Sequence, residues 1–272
     1  MSAAAALTWA ELRGLARRRW VLALGAGGLA AVALIAALAA AADSGVDRDD
    51  TIQAGGASLL LLGGLYAAVG LGSATLNREA DSGHLGILAA AGTGRARLAG
   101  AAIAARVVAL AALLTAWGVG LQLASLAIGR GADGPLAVHT LASAENMLFA
   151  LLASALVSSV VGPVASGIVG VTLYVVAQAV VNLESAADQN LIGTAETGVR
   201  AAYLVLPRLV VSPMIFLLQA REEAGPAAPP LEINGTTVFV QASDASSVLW
   251  TLLWCAGIAV VAALGLRRRP LA

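Results

Sequence analysis

The sequence predicts an all-α membrane protein, and its composition is the first reason. Of the 272 residues, 59% are hydrophobic and 12% are charged, whereas a typical soluble domain has about 45–50% apolar and about 25% charged residues. The second reason is that the apolar residues are gathered into segments of about 20 residues, the length that an α-helix needs to cross a bilayer. We therefore expect residues 1–272 to form a single transmembrane domain.

The six predicted spans follow one another along the chain. They cover about 20–42, 53–76, 99–129, 145–162, 164–183 and 247–266. The first is longer than the roughly 7–15 apolar residues of a signal peptide, so we expect it to be retained. Proline lacks a backbone N–H and resists helix continuation, so Gly162-Pro163 predicts a tight turn between the fourth and fifth spans.

The placement of arginine predicts the orientation, because basic residues in short loops favour the cytoplasmic side. Arginines precede the first span and follow the last, so both termini are expected in the cytoplasm. Three further arginines put residues 77–98 there as well. The acidic segments 43–51 and 184–246 are expected outside. The loop 130–144 is also expected outside, which sets Glu145 at the outer end of the fourth span.

Two features are predicted within the extracytoplasmic segment. Residues 203–219 are apolar, but Arg208 lies in their middle and two prolines interrupt them. We expect a helix that lies on or dips into the outer leaflet, because a seventh span would put the C-terminal arginines outside. Asn-Gly between apolar and β-branched residues in 231–240 predicts a β-hairpin.

Residues 1–19 predict an interfacial helix ahead of the first span. At about 100° per residue, the apolar residues take one arc and the charged residues the other: Trp9, Leu12, Leu15 and Ala16 against Glu11, Arg13, Arg17 and Arg18. Such a helix lies along the lipid headgroups, with Trp9, Arg13, Arg17 and Arg18 as its lipid contacts. The alternative to an interfacial helix is a positively charged segment that simply precedes the first span.

The sequence shows no catalytic residue, cofactor-binding residue or metal ligand that we would predict for this chain. GAGGLA (25–30) lies inside a span, without the strand and helix of a dinucleotide site, and predicts close helix packing. GTGRARLAG (92–100) lacks the Lys-Ser/Thr pair of a P-loop. The single cysteine, Cys255, excludes an internal disulfide. A net charge of zero gives no reason to expect nucleic acid.

Ionisable residues inside spans are functional pointers, and few are present. Arg106 lies about two turns into the third span and is expected to snorkel to the cytoplasmic interface. Gln122, Gln178 and Asn182 are typical helix–helix contacts. The sequence contains no HExxH motif and no series of acids within the spans, which disfavours an intramembrane protease and a secondary carrier.

Residues 77–100, NREADSGHLGILAAAGTGRARLAG, resemble the cytoplasmic loop of permease subunits of type-2 ATP-binding-cassette (ABC) transporters. In that family acidic residues end the second span. These acidic residues are followed by Gly-Thr-Leu, then by a short helix with paired leucines, and then by Pro-x-x-Arg. The matching residues are Glu79, Asp81, Gly83, Leu85, Leu88 and Arg95, whereas His84, Ala89 and Gly92 replace Thr, Leu and Pro. Residues 9–20, WAELRGLARRRW, resemble the N-terminal interfacial helix of the family, and the nearest subgroup is the permeases of nitrous-oxide-reductase maturation.

The resemblance implies a cytoplasmic coupling helix between spans two and three. Its contacts with an ATPase subunit would be Glu79, Asp81, Gly83, His84, Leu85, Leu88 and Arg95. The resemblance also implies separate cytoplasmic ABC ATPase subunits that hold ATP and Mg, and a place in a prokaryotic plasma membrane. It implies a second permease as well, either another copy of this chain or a related permease.

The implied function is that of the permease subunit of an exporter, which moves a hydrophobic or amphipathic substrate outward. The alternative is an ABC-type subunit that transmits force to an extracytoplasmic partner without moving a solute. Glycines in spans one, two and five either permit close packing or reflect an Ala/Gly-rich composition.

Overall fold

The structure is a computed structural model that describes residues 3–42, 45–73, 94–129, 131–189, 191–211, 231–233, 236–238 and 244–265. The helices in these ranges are α1 (Ala3–Ala16), α2 (Arg19–Ala41), α3 (Gly45–Ser58), α4 (Gly64–Ser73), α5 (Arg95–Ala127), α6 (Gly134–Ser158), α7 (Pro163–Asp188), α8 (Glu196–Val205) and α9 (Ala245–Gly265). A π-helical turn, Leu59–Gly63, joins α3 to α4, and a short 3₁₀ turn, Gly193–Ala195, precedes α8.

Six helices in the described part are long and apolar enough to cross a membrane. They are Arg19–Ala41, Arg48–Ser73, Ala96–Ala127, Gly134–Ser158, Pro163–Asp188 and Ala245–Leu264. The predicted number and order of spans are confirmed, and they indicate a multi-pass membrane protein. The turn before Pro163 is confirmed as well, since α7 begins at this proline and Gly162 is its N-cap.

The predicted start of the fourth span was wrong. Helix α6 begins at Gly134, where the Asp133 carboxylate accepts a hydrogen bond from the Leu136 N–H at 2.9 Å. The prediction took the polar residues before 145 for a loop, but His139, one of them, is 7% exposed and faces the bundle. Glu145 therefore lies near the middle of α6 and not at its outer end.

The predicted outer segment 43–51 was also too long. Helix α3 already begins at Gly45, so Asp47, Asp49 and Asp50, which were taken for a loop, belong to a helix. The Arg48 Nε donates to the Ala42 carbonyl at 3.1 Å and satisfies a group at the C-terminal end of α2. The connection between the first two spans is consequently short.

Helix α6 is the centre of the bundle. It packs against α4, α5, α7 and α9, and 61% of its apolar stretch is buried, compared with 17% for α2. Small residues allow the closest approaches: a methyl group at Gly72 would meet the Leu151 carbonyl, and one at Gly170 would meet the Ser154 hydroxyl. At Gly70 a methyl group would find its nearest atom at 3.6 Å. Close helix packing therefore explains Gly72 and Gly170, whereas Gly70 fits the alternative of an Ala/Gly-rich composition.

Helix α1 packs against α5. Arg18 has an extended backbone that separates α1 from α2. Leu15 belongs to the core and Leu12 packs against it, whereas Trp9 is 49% exposed beside Arg13, whose guanidinium lies 5.0 Å from the ring centre. The predicted apolar arc is thus divided, because its leucines face the protein and its tryptophan faces outward.

Arg106 is buried among the helices, whereas the prediction expected its side chain to extend out to the membrane interface. Its side chain is 1% exposed, and Nη1 donates to the carbonyl of Ala102 at 2.8 Å, one turn back along α5. The side chain is buried because α1, α2 and α6 all pack against α5.

The extracytoplasmic predictions had mixed outcomes. The helix expected over 203–219 was wrong for residues 206–211, because α8 ends at Val205 and Leu206, which precedes Pro207, has the extended backbone (ψ 161°) that a following proline favours. Residues 212–219 lie outside the described residues. The hairpin is confirmed: Leu231–Ile233 pairs antiparallel with Thr236–Val238, with Ile233 opposite Thr236.

Candidate functional site

Most of the residues implied by the resemblance as ATPase contacts lie outside the described residues. These are Glu79, Asp81, Gly83, His84, Leu85 and Leu88. Arg95 is the first residue of α5. Of the four predicted lipid contacts, Trp9, Arg13 and Arg17 are exposed and Arg18 is half-buried. The coupling helix and the interfacial role of α1 stay predictions.

A cavity inside the bundle is the strongest candidate site in the described part of the chain. Its volume is about 340 Å³, near the lower end of the roughly 300–1,000 Å³ range of ligand pockets. Span two, α6, α7 and residue 210 contribute its lining: Ala57, Ser58, Leu61, His139, Ala142, Ser143, Asn146, Met147, Tyr174, Gln178 and Val210. Apolar walls with a few convergent polar groups are typical of a binding site.

The π-helical turn forms one side of this cavity. Ser58 immediately precedes the turn and Leu61 belongs to it. His139 of α6 forms a hydrogen bond with the backbone of Ala57, close to where the spacing of the helical hydrogen bonds changes. π-Helical turns are rare and occur frequently at functional sites, so this irregularity supports the assignment.

The extended segment, residues 206–211, forms another side. Its backbone is held by side chains from two spans. The Asn146 amide donates to the Val210 carbonyl at 2.9 Å and accepts from the Val210 N–H at 2.8 Å. From α9, the Trp250 indole donates to the Leu206 carbonyl at 2.9 Å and the Thr251 hydroxyl donates to the Arg208 carbonyl at 2.7 Å.

These hydrogen bonds explain how a non-helical backbone is stable level with the middle of α6. Asn146 lies twelve residues after Gly134, about 18 Å along α6 at 1.5 Å per residue. Irregular backbone at membrane depth is tolerated where protein buries it or where it lines a cavity. The extended segment meets both conditions, because Leu209 is fully buried and Val210 lines the cavity.

Arg208 sits in the extended segment among aromatic and acidic groups. Its guanidinium lies 4.4 Å from the ring centre of Tyr203 and 5.8 Å from that of Trp250. Its Nε donates to the Tyr203 carbonyl at 3.2 Å. Glu184 and Asp244 are close enough to interact with its charge. Arg208 is thereby occupied in holding the segment and is not among the cavity-lining residues.

The cavity lining carries no carboxylate and no guanidinium. Its polar groups are the hydroxyls of Ser58, Ser143 and Tyr174, the amides of Asn146 and Gln178 and the imidazole of His139, all of which can take part in hydrogen bonds. Glu145 is on the same helix but near Cys255 of α9, and its Oε1 has no hydrogen-bond partner among the described residues. The described residues contain no group of three or more potential metal ligands. Such a lining offers several uncharged hydrogen-bonding groups to a ligand.

Sequence reasoning missed most of this site. Gln178 was taken for a helix–helix contact, and Ser143 and Asn146 were not singled out. Their spacing was a usable signal, because His139, Ser143 and Asn146 follow an i, i+4, i+7 pattern that puts them on one helical face. The signal was lost because residues 134–144 were assigned to a loop.

In comparisons with protein families, with curated protein sequences and with solved structures, nothing matches this chain.

Proposed function

We propose that this chain is the permease subunit of an ATP-driven ABC exporter in a prokaryotic plasma membrane, and that it moves a hydrophobic or amphipathic solute outward. The observation that carries the proposal is the cavity among the spans, with apolar walls, uncharged polar groups and two irregular backbone segments in its lining. Broken or irregular helices near the midplane are a recurrent way in which transporters build solute sites.

The ABC part of the proposal rests on the resemblance of residues 77–100. A short amphipathic helix has too little apolar area to be stable alone and needs a surface to rest on. A separate ATPase subunit would supply that surface, and spans two and three would follow its movement. ATP and Mg belong to that subunit, and a second permease copy would complete the pathway.

Co-expression with a candidate ABC ATPase subunit from the same organism tests the proposal. The complex would be reconstituted in liposomes, and ATP hydrolysis would be compared for a Leu85→Ala/Leu88→Ala variant and a Leu204→Ala/Leu249→Ala control. The control side chains are 62% and 63% exposed; Leu204 lies in the segment predicted outside and Leu249 at the predicted outer end of the sixth span. We expect the first variant alone to lose stimulated hydrolysis. A complex that forms without residues 79–95, or hydrolysis indifferent to the first variant, overturns the coupling role.

The second candidate is force transmission to an extracytoplasmic partner. It is favoured by the bonds that join the extended segment to α6 and α9, because any shift of these helices would pull on residues 184–246. The same liposomes separate the two candidates. ATP hydrolysis without flux of any amphipathic solute supports force transmission, and ATP-dependent flux supports export.

A further inference from the structure

We propose that the cavity binds an uncharged amphipathic molecule that carries a hydroxyl or amide group and enters sideways from the bilayer. The proposal names the solute class of the proposed permease and rests on that function for the direction of movement. Binding itself requires no ATPase subunit, so it can be tested separately.

The lack of charge in the lining determines the class of ligand. A buried ion without a partner is strongly disfavoured, and at membrane depth the cost of a charged side chain is a few kcal/mol or more. None of the lining residues is Asp, Glu or Arg. A cationic ligand would therefore find no carboxylate, and an anionic ligand would find no guanidinium and only the imidazole of His139, whereas a neutral ligand needs no counter-ion.

The deep part of the cavity selects for a hydrogen-bonding group. Tyr174 is 5% exposed and Asn146 is 7% exposed. Asn146 already binds both backbone groups of Val210, so the hydroxyls of Tyr174 and Ser143 are among the polar groups that the lining offers to a ligand. Met147, which is fully buried, and Ala142, which is 7% exposed, provide the apolar contact beside them. The flexible thioether of Met147 can adapt to different ligand shapes.

The opening points to the side of the bundle. Ser58 is exposed and Leu61 is 43% exposed, and both lie on span two facing the same cavity as Tyr174 of α7. In the described part, span two packs against α7 through α4 rather than through α3. The two spans therefore separate at the level of the cavity, and a molecule dissolved in the membrane can enter between them.

Photolabelling of the full chain in lipid nanodiscs tests this proposal. The probe is trifluoromethyl-diazirinyl benzyl alcohol, and the matched charged probe is the benzoic acid of the same skeleton at neutral pH. Tandem mass spectrometry locates the labelled residues. We expect saturable labelling by the alcohol in the cavity lining, at Leu61, Met147, Tyr174 or Val210, and at least about tenfold less labelling by the acid.

Two variants and one control sharpen the test. Tyr174→Phe removes one hydroxyl and should lower cavity labelling about two- to tenfold, the value of one hydrogen bond. Ala142→Leu fills the cavity and should abolish labelling there. Gly257→Leu is the control, because its side chain would enter open space in a separate apolar groove on α9 and should leave cavity labelling unchanged.

Three results overturn the proposal: labelling spread evenly over lipid-facing residues, equal labelling by alcohol and acid, or undiminished cavity labelling in Tyr174→Phe. If Ala142→Leu does not fold, the Tyr174→Phe comparison still decides. Cavity labelling in a chain that never binds an ATPase would refute the ABC assignment while leaving the ligand site intact.

Discussion

Asn146→Ala should release the extended segment from the bundle. The change removes both hydrogen bonds between the Asn146 amide and the backbone of Val210, at 2.9 and 2.8 Å. Hydrogen bonds between helices in membranes average about 0.6 kcal/mol each, which gives about 1.2 kcal/mol for two. Leaving a half-buried backbone N–H without its acceptor adds about 1 kcal/mol, the low end for such groups. The expected loss of local stability is thus about 2 kcal/mol.

Amide hydrogen exchange of the peptide covering 206–211 measures this loss. Because about 1.4 kcal/mol corresponds to a factor of ten, exchange at Val210 should accelerate about thirtyfold. Thr140→Val is the matched control on α6, since the Thr140 hydroxyl donates to the Leu136 carbonyl of its own helix at 2.8 Å. An acceleration below about threefold in folded Asn146→Ala would refute the reasoning, and so would an equal acceleration in the control.

Two further predictions concern packing and capping. Gly28→Ala should lower the free energy of unfolding by about 1–3 kcal/mol, because its methyl group would meet the Trp117 ring, whereas Gly27→Ala enters open space and should cause no loss in the same thermal assay. Asp244 accepts a hydrogen bond from the Ser247 N–H at 2.9 Å, which holds the pKa of its carboxyl below the usual value. Its contribution is therefore complete above about pH 4 and is lost as the pH falls through the lowered pKa. Amide exchange in the first turn of α9 should rise over that range, and Asp244→Asn, which still caps, should abolish the pH dependence.

Local chemistry explains the features that were predicted correctly. The spans follow from runs of apolar residues, which have no stable alternative to the helix in a bilayer. The turn at Gly162 and the two-residue hairpin loop follow from backbone preferences of proline and of Asn-Gly. None of these needs a distant partner, so a sequence window contains all the information.

The cavity could not be predicted in the same way, because it depends on contacts between residues that are far apart in the sequence. Asn146 and Val210 are 64 residues apart in the chain, and Trp250 reaches the Leu206 carbonyl from 44 residues away. A polar residue in an apolar stretch looks the same in sequence whether it ends a helix or faces a cavity. This ambiguity put Glu145 at the end of the fourth span and hid the polar face of α6.

The sequence by itself determined the six apolar helices that the described residues contain, because the bilayer requires each spanning segment to satisfy its own backbone. Only the tertiary structure decided which small and polar residues matter. Gly27 and Gly28 are neighbours of the same type, yet one faces open space and the other the Trp117 ring. The extended segment is held in the bundle by side chains of α6 and α9. Its backbone groups have no partners within a helix, so they depend on donors and acceptors that only the tertiary structure supplies.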